Sequence, residues 1–519
     1  MSNKNKARRR TPASQARASQ ARTSQAAAGQ DGDISQAEAD AIVQDVLSKL
    51  WEGVASGDPL RAELETATCM AFPYVLGQRD PADIESFIDT VLVKGAVRRR
   101  NPDGAALLRL LMTLGTPTTR RAASRALAEL TGEGIYPPEW VTEIGKVTPG
   151  QAWRRYDVFG DDEAIAVTFS YGEGEHGLVV QVDLAGLPVA TTIGVSSDGA
   201  KLIEVISGNN EEFDSSEQIS LGEARMRMLR PLDRAGRDES PKLSPSSIAY
   251  LPVAKSRVRR LPDGGDEPRP VYTAADRAAA VEEFMTSPEA AEAVAADEAS
   301  TRFWAEVLTG YSGRIPGEPP DQVGPRKLAH ILLGHVPNTF VLTPAQRDHL
   351  EPAAAAWVRW SATRRELGEA GTAVLMEQLP RVLSRFGEAY DDPDAAAIRG
   401  YASGLATSAA DVSWLSDSVG RRMFALPIPD QHAPLDLSDP ADRHRLVAEE
   451  FGECTPPPGL TSEEFVEAAY GVVEELWRDE DNPTYQTASR LFADGLSRHD
   501  VIHRLAGSPA PTVGSSVIR

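Results

Sequence analysis

Cysteine is nearly absent: Cys69 and Cys454 are the only two in 519 residues. One pair cannot build the disulfide framework that staples small secreted domains. Long hydrophobic runs are missing as well, and stretches such as 105–108 and 353–358 fall far short of the roughly 20 apolar residues a membrane-spanning helix needs. The first thirty positions hold neither an acidic residue nor the apolar core of a secretory signal. These absences lead to the expectation of a cytoplasmic protein without membrane association. A G-x-S-x-G elbow, a G-x-x-x-x-G-K-[ST] loop and a C-x-x-C pair are also lacking, which removes support for acyl transfer, nucleotide hydrolysis and zinc-ribbon chemistry.

What is present reads as a globular chain. Hydrophobic residues make up 41% and charged residues 25%, both ordinary for folded proteins, and the length allows about three domains of roughly 150 residues each. Net charge is −22. Lys4, Lys6, Arg8, Arg9, Arg10, Arg17 and Arg22 face no acid nearby, so the remainder is more acidic still and should repel nucleic acid. Arginine greatly exceeds lysine and Ala, Gly, Pro and Asp are abundant, a bias typical of translated GC-rich bacterial DNA.

The organisation expected is α+β and mostly helical. Residues 1–33 are a low-complexity basic tail, expected to be disordered, and a nucleic acid or anionic surface would be met there if anywhere. A helical domain spans 34–147, opened by a Ser35/Glu38 capping box and an apolar stripe of Val43, Val46, Leu47, Leu50, Trp51 and Val54. Asp80-Pro81 starts a further helix with Ile84, Phe87, Ile88, Val91 and Leu92 on its buried face, and the succession of helices suggests a small solenoid or orthogonal bundle. Period-two alternation then marks an antiparallel β domain at 148–234, a meander with one buried face and a helix near 221–230. An irregular linker is expected at 235–270, with a basic knot at Lys255, Arg257, Arg259 and Arg260. A large helical domain covers 271–506, with helix starts at Thr273, Thr343 and Thr461, before a loose tail at 507–519.

Candidate chemistry is sparse. Gly172, Gly174 and Gly177 form a G-x-G-x-x-G string, but it leads into a strand rather than a helix and carries Glu173 and Glu175, so it reads as a hairpin without a cofactor. Asp161, Asp162, Glu173, Glu175, His176 and Asp183 are metal-ligand types, although Asp161-Asp162 fits a turn and His176 falls on the apolar face of its strand. His499 and His503 stand four apart, the spacing that puts two zinc ligands on one helical face, and are the metal-binding candidates. Asp500 replaces the usual glutamate between them, and with Ser497 it also makes a capping box. Asp391, Asp392 and Asp394 form an acidic cluster that equally suits a helix start, while His330 and His335 are five apart and share an α-helical face poorly.

The segments Tyr272-Thr273-Ala274-Ala275-Asp276-Arg277, Val323-Gly324-Pro325-Arg326-Lys327-Leu328 and Leu496-Ser497-Arg498-His499-Asp500-Val501-Ile502-His503 resemble those of uncharacterised actinobacterial proteins, over about 136–506. That resemblance implies a bacterial cytoplasmic setting and no mechanism. Three function classes therefore stand at this stage. One is a non-catalytic interaction or regulatory protein with a protein partner; the others are a metal-dependent hydrolase and a nucleic-acid-associated factor acting through the tail.

Overall fold

The computed structural model describes residues 36–75, 81–172, 174–208, 212–235, 243–264, 272–311, 318–402, 412–426, 437–478, 483–493 and 496–507. The basic tail at 1–33, Ser35, Asp80, Glu173 and Gly495 lie outside these residues. Contacts divide the chain into two compact units, 1–144 and 145–519. No helix among the described residues is long and apolar enough to cross a membrane.

The first unit is helical. It comprises α1 (Gln36–Ala55), α2 (Pro59–Val75), α3 (Pro81–Phe87), a π-helical turn (Ile88–Val93), α4 (Lys94–Arg99), α5 (Pro102–Leu114) and α6 (Pro117–Gly132). Helix α5 is buried nearly all round through Leu107, Leu108, Leu110 and Leu111, which places it at the centre of the unit. Asn101 and Thr116 cap α5 and α6 ahead of prolines at the first helical position. The π turn alters the expected face of the third helix. An extra residue in the turn shifts the register, so Leu92 and Val93 are buried while Val91 is left half-exposed.

The second unit begins with a five-stranded antiparallel sheet in the order β4-β3-β2-β1-β5: β1 (Thr148–Asp157), β2 (Asp162–Tyr171), β3 (Gly174–Asp183), β4 (Val189–Ser196) and β5 (Asp214–Ile219). Both faces are covered, not one. Helix α7 (Gly199–Ser207) lays Ile203 and Ile206 against Ala166 on one face. On the opposite face α8 (Leu221–Arg234) contacts β1, β2 and β4. The expected irregular linker contains a helix, α9 (Pro245–Val258), packed against β4. Ser244 caps it, Pro245 occupies its first turn, and Ile248, Ala249, Val253, Ala254 and Val258 are buried; its serines and Pro252 give it the composition of a loop. From α9, the Ser247 hydroxyl accepts the Ile193 N–H of edge strand β4 at 3.1 Å.

The remaining helices are α10 (Ala274–Met285), α11 (Ala291–Ala296), α12 (Glu298–Tyr311), α13 (Pro325–His330), a second π turn (Ile331–His335), α14 (Val336–Thr339), α15 (Pro344–Asp348), α16 (Leu350–Arg364), α17 (Gly368–Tyr390), α18 (Pro393–Ala402), α19 (Val412–Ala425), α20 (Pro440–Phe451), α21 (Ser462–Arg478), α22 (Pro483–Ala493) and α23 (Arg498–Ala506). The capping pairs Thr273/Asp276, Thr343/Gln346 and Thr461/Glu464 all form. One core gathers Phe284, Trp357 and Trp360, with ring centroids 4.8–5.6 Å apart. A second gathers Tyr401, Phe451, Phe465 and Trp477 from α18 to α21.

Candidate functional site

The glycine string is a hairpin. β2 ends at Tyr171, Gly172 has φ +56, and β3 starts at Gly174, while a Cβ on Gly177 would meet Leu202 of α7 at 2.5 Å. Of the neighbouring acidic residues, Asp157, Asp161, Asp162 and Asp183 form a seam with α13 instead of a ligand sphere. Asp157 accepts N–H groups from Gly160, Asp161 and Asp162, which sets the β1–β2 turn. The Asp161 carboxylate accepts from Arg326 N at 2.6 Å and Lys327 N at 3.1 Å, and so caps the start of α13 from 165 residues away. A Cβ on Gly324 would lie 2.2–2.6 Å from that carboxylate, so glycine is what lets it approach. Arg326 pairs with Asp162 and Asp183, and buried Lys327 pairs with buried Glu318. Burial pushes the Asp161 carboxyl up to about 6 and the Lys327 ammonium down to about 8. Arg365 donates to the carbonyls of Val158 and Phe159, and Phe159 sits in the helical core.

His176 is structural. It stacks on Phe169 and Tyr171, at 5.8 Å from each, and its Nε2 accepts the Arg257 Nε–H at 3.0 Å. Burial, with Arg257 beside it, lowers its pKa to about 3 and keeps it neutral. One member of the expected basic knot is thus buried, while Arg259 and Arg260 are exposed and Lys255 lies 3.7 Å from Asp233. On the same sheet face, buried Glu163 takes Arg154 and Arg227 at 2.7 Å each.

The histidine pairs end in unlike places. His330 and His335 both pack on Tyr311, at 5.6 and 5.0 Å. The π turn between them makes a five-residue spacing the one that shares a face. His499 and His503 lie in the first turns of α23 with ring centroids 6.4 Å apart. His499 Nδ1 is 3.1 Å from Glu450 and its Nε2 is 3.6 Å from Cys454 Sγ, whereas His503 Nε2 is 3.1 Å from the Thr455 carbonyl. Among the described residues, no group of three or more His, Cys, Asp or Glu is arranged to hold a metal ion. Ser497 caps α23 with Asp500, which uses that aspartate as a cap. Asp392 caps α18, and Asp391 pairs with Arg347 at 3.1 Å.

The first unit carries an open groove of ≈ 470 Å³ between α1 and the π turn. Leu47, Trp51 and Val91 give it an apolar floor; Arg98 and Arg99 stand on its rim, with the Arg99 guanidinium 3.8 Å from the Trp51 ring centre. The apolar stripe of α1 already singles out Leu47 and Trp51; the π turn that turns Val91 toward them leaves no trace in the sequence pattern. No protein-family model, no curated protein and no solved structure matches the chain.

Proposed function

We propose that the chain is a non-catalytic interaction or regulatory protein of the cytoplasm, and that its groove over α1 and the π turn receives an acidic amphipathic helix from a protein partner. The groove carries the reading. An apolar floor with two exposed guanidiniums complements a segment with leucine-like anchors flanked by carboxylates. π-helical turns recur where function has outweighed regular helix geometry, and this one forms a groove wall. The Arg-rich, Ala-, Gly- and Pro-rich composition supports a bacterial setting.

The test uses the full chain and a panel of acidic amphipathic helical peptides, read by fluorescence anisotropy. Wild type should bind members of the panel, with salt weakening the interaction, and the double variant Arg98→Glu, Arg99→Glu should lose roughly tenfold or more in affinity, about 1.4 kcal/mol. Equal binding by a folded double variant, or no binding by any peptide, would count against the reading.

A further inference from the structure

The corner where α20 ends brings a thiol, an imidazole and a carboxylate together. Cys454 Sγ lies 3.6 Å from His499 Nε2 and also 3.6 Å from the Glu450 carbonyl oxygen, and His499 Nδ1 lies 3.1 Å from Glu450 Oε1. Arg498 fixes the carboxylate: its Nη1 pairs with the same Oε1, while its Nε and Nη2 donate to the Phe424 and Ala425 carbonyls at 2.7 Å each. The imidazole lies flat on Phe451, with centroids 4.7 Å apart and planes 9° apart. His503 holds the next residue through the Thr455 carbonyl, so the segment carrying the thiol is tied to α23 at two successive positions. Cys454 is half-buried and the His499 side chain is 41% exposed, so the corner lies at the protein surface.

We propose that Cys454 is a modification site at which a low-molecular-weight disulfide forms a mixed disulfide, with His499 as proton acceptor and Glu450 positioning the ring. With its Nδ1 proton donated to Glu450, the imidazole turns the Nε2 lone pair toward the thiol. The Cys454 proton passes to Nε2, and the sulfur attacks one sulfur of R–S–S–R. The external S–S bond breaks, its electron pair leaves on the departing thiolate, and that thiolate takes the proton back from Nε2. Cys454 is oxidised to the disulfide level and the external disulfide is reduced to one thiol, with no net change in protons.

Attack on a carbonyl fits the corner less well. The Cys454 N–H is already donated to the Phe451 carbonyl at 3.1 Å, so the amide of the nucleophile does not await an oxyanion. Disulfide exchange spreads its charge over three sulfurs and needs no such donor. Cys69 supplies an internal contrast: it is 1% exposed in α2, and burial, with Glu65 nearby, pushes its thiol up to about 12.

The experiment exposes reduced full-length protein to glutathione disulfide at neutral pH and follows adducts by intact mass and peptide mapping. The expected result is one adduct on Cys454 and none on Cys69, forming roughly tenfold faster in the native protein than at Cys454 in the denaturant-unfolded chain. His499→Phe keeps a ring over Phe451 but removes both nitrogens, and should bring the native rate down to the unfolded one; Glu450→Gln should slow it less. A Cys454 that reacts no faster in the native than in the unfolded chain overturns the proposal, and so does a folded His499→Phe protein with the wild-type rate. If His499→Phe does not fold, the wild-type comparison decides alone.

Discussion

Ionisable side chains crowd together in two parts of the second unit, the seam between the β1–β2 turn and α13 and the corner between α20 and α23. Their chemistry diverges because water stands in different places. In the seam, Asp161 and Lys327 are buried at 2% and 1% exposure, and the Asp161 carboxylate is bound to the backbone of α13. In the corner, Glu450 and His499 are held by equally specific bonds, yet the imidazole stays 41% exposed and the thiol belongs to a half-buried residue. Perturbed ionisation alone therefore does not identify a functional site. The seam carries large shifts and serves packing, while the corner combines order with a place at the surface.

That contrast can be broken or sharpened by substitution. The largest effect is expected at Glu163, the buried carboxylate between Arg154 and Arg227. Glu163→Ala would remove the buried carboxylate that the two guanidiniums share, leaving Arg154 with Glu217 and Arg227 with Glu223, and should cost about 1.5–3 kcal/mol, read as an earlier urea transition of the sheet's circular dichroism. An unchanged transition would mean that water reaches those guanidiniums. Next comes His176, whose pKa is depressed from 6.5 to about 3, so the stability it contributes is complete above pH 6.5 and is lost as pH falls toward about 3. His176→Gln still accepts from Arg257 but does not titrate, and should flatten that acid limb; identical acid limbs would place the titration elsewhere.

Asp161 should act with the opposite sign. Its carboxyl is raised from 3.8 to about 6, so its favourable share is complete below pH 3.8 and disappears as pH rises through about 6. The stability of wild type relative to Asp161→Asn should fall across that window, and a difference that rises instead would show the charged form to be the better cap. The smallest effect belongs to the corner. His503→Ala removes one partly exposed bond to the Thr455 carbonyl and should cost about 0.5–1.5 kcal/mol by thermal denaturation, while loosening the segment around Cys454.

Local features of the sequence were the legible ones. Capping pairs at Thr273, Thr343, Thr461 and Ser497 lie within three residues, and the alternation of β2 and β3 is a nearest-neighbour pattern; both reappear in the structure. His176 is readable as structural because its phase puts it on the apolar face of its strand, and the structure pairs it with Phe169. Features closed over long distances were not legible. Asp161 caps a helix that starts at Pro325, and Cys454 meets a histidine 45 positions away, with no period connecting either pair. The two π turns misled in another way, since a spacing argument built on 3.6 residues per turn misplaces both Val91 and His335. Helix α9 was hidden by composition, although Ser244-Pro245 is a helix start in its own right.

The bond between Ser247 and Ile193 bears on how this protein avoids its own kind. An outer strand normally offers a row of free amides on which a second chain can grow a further strand, the first step toward aggregation. Here one of those amides is already occupied by a hydroxyl from α9, and the body of that helix lies along β4. The opposite outer strand, β5, is short, at six residues. A sheet guarded in this way is poorly suited to recruiting partners by strand addition.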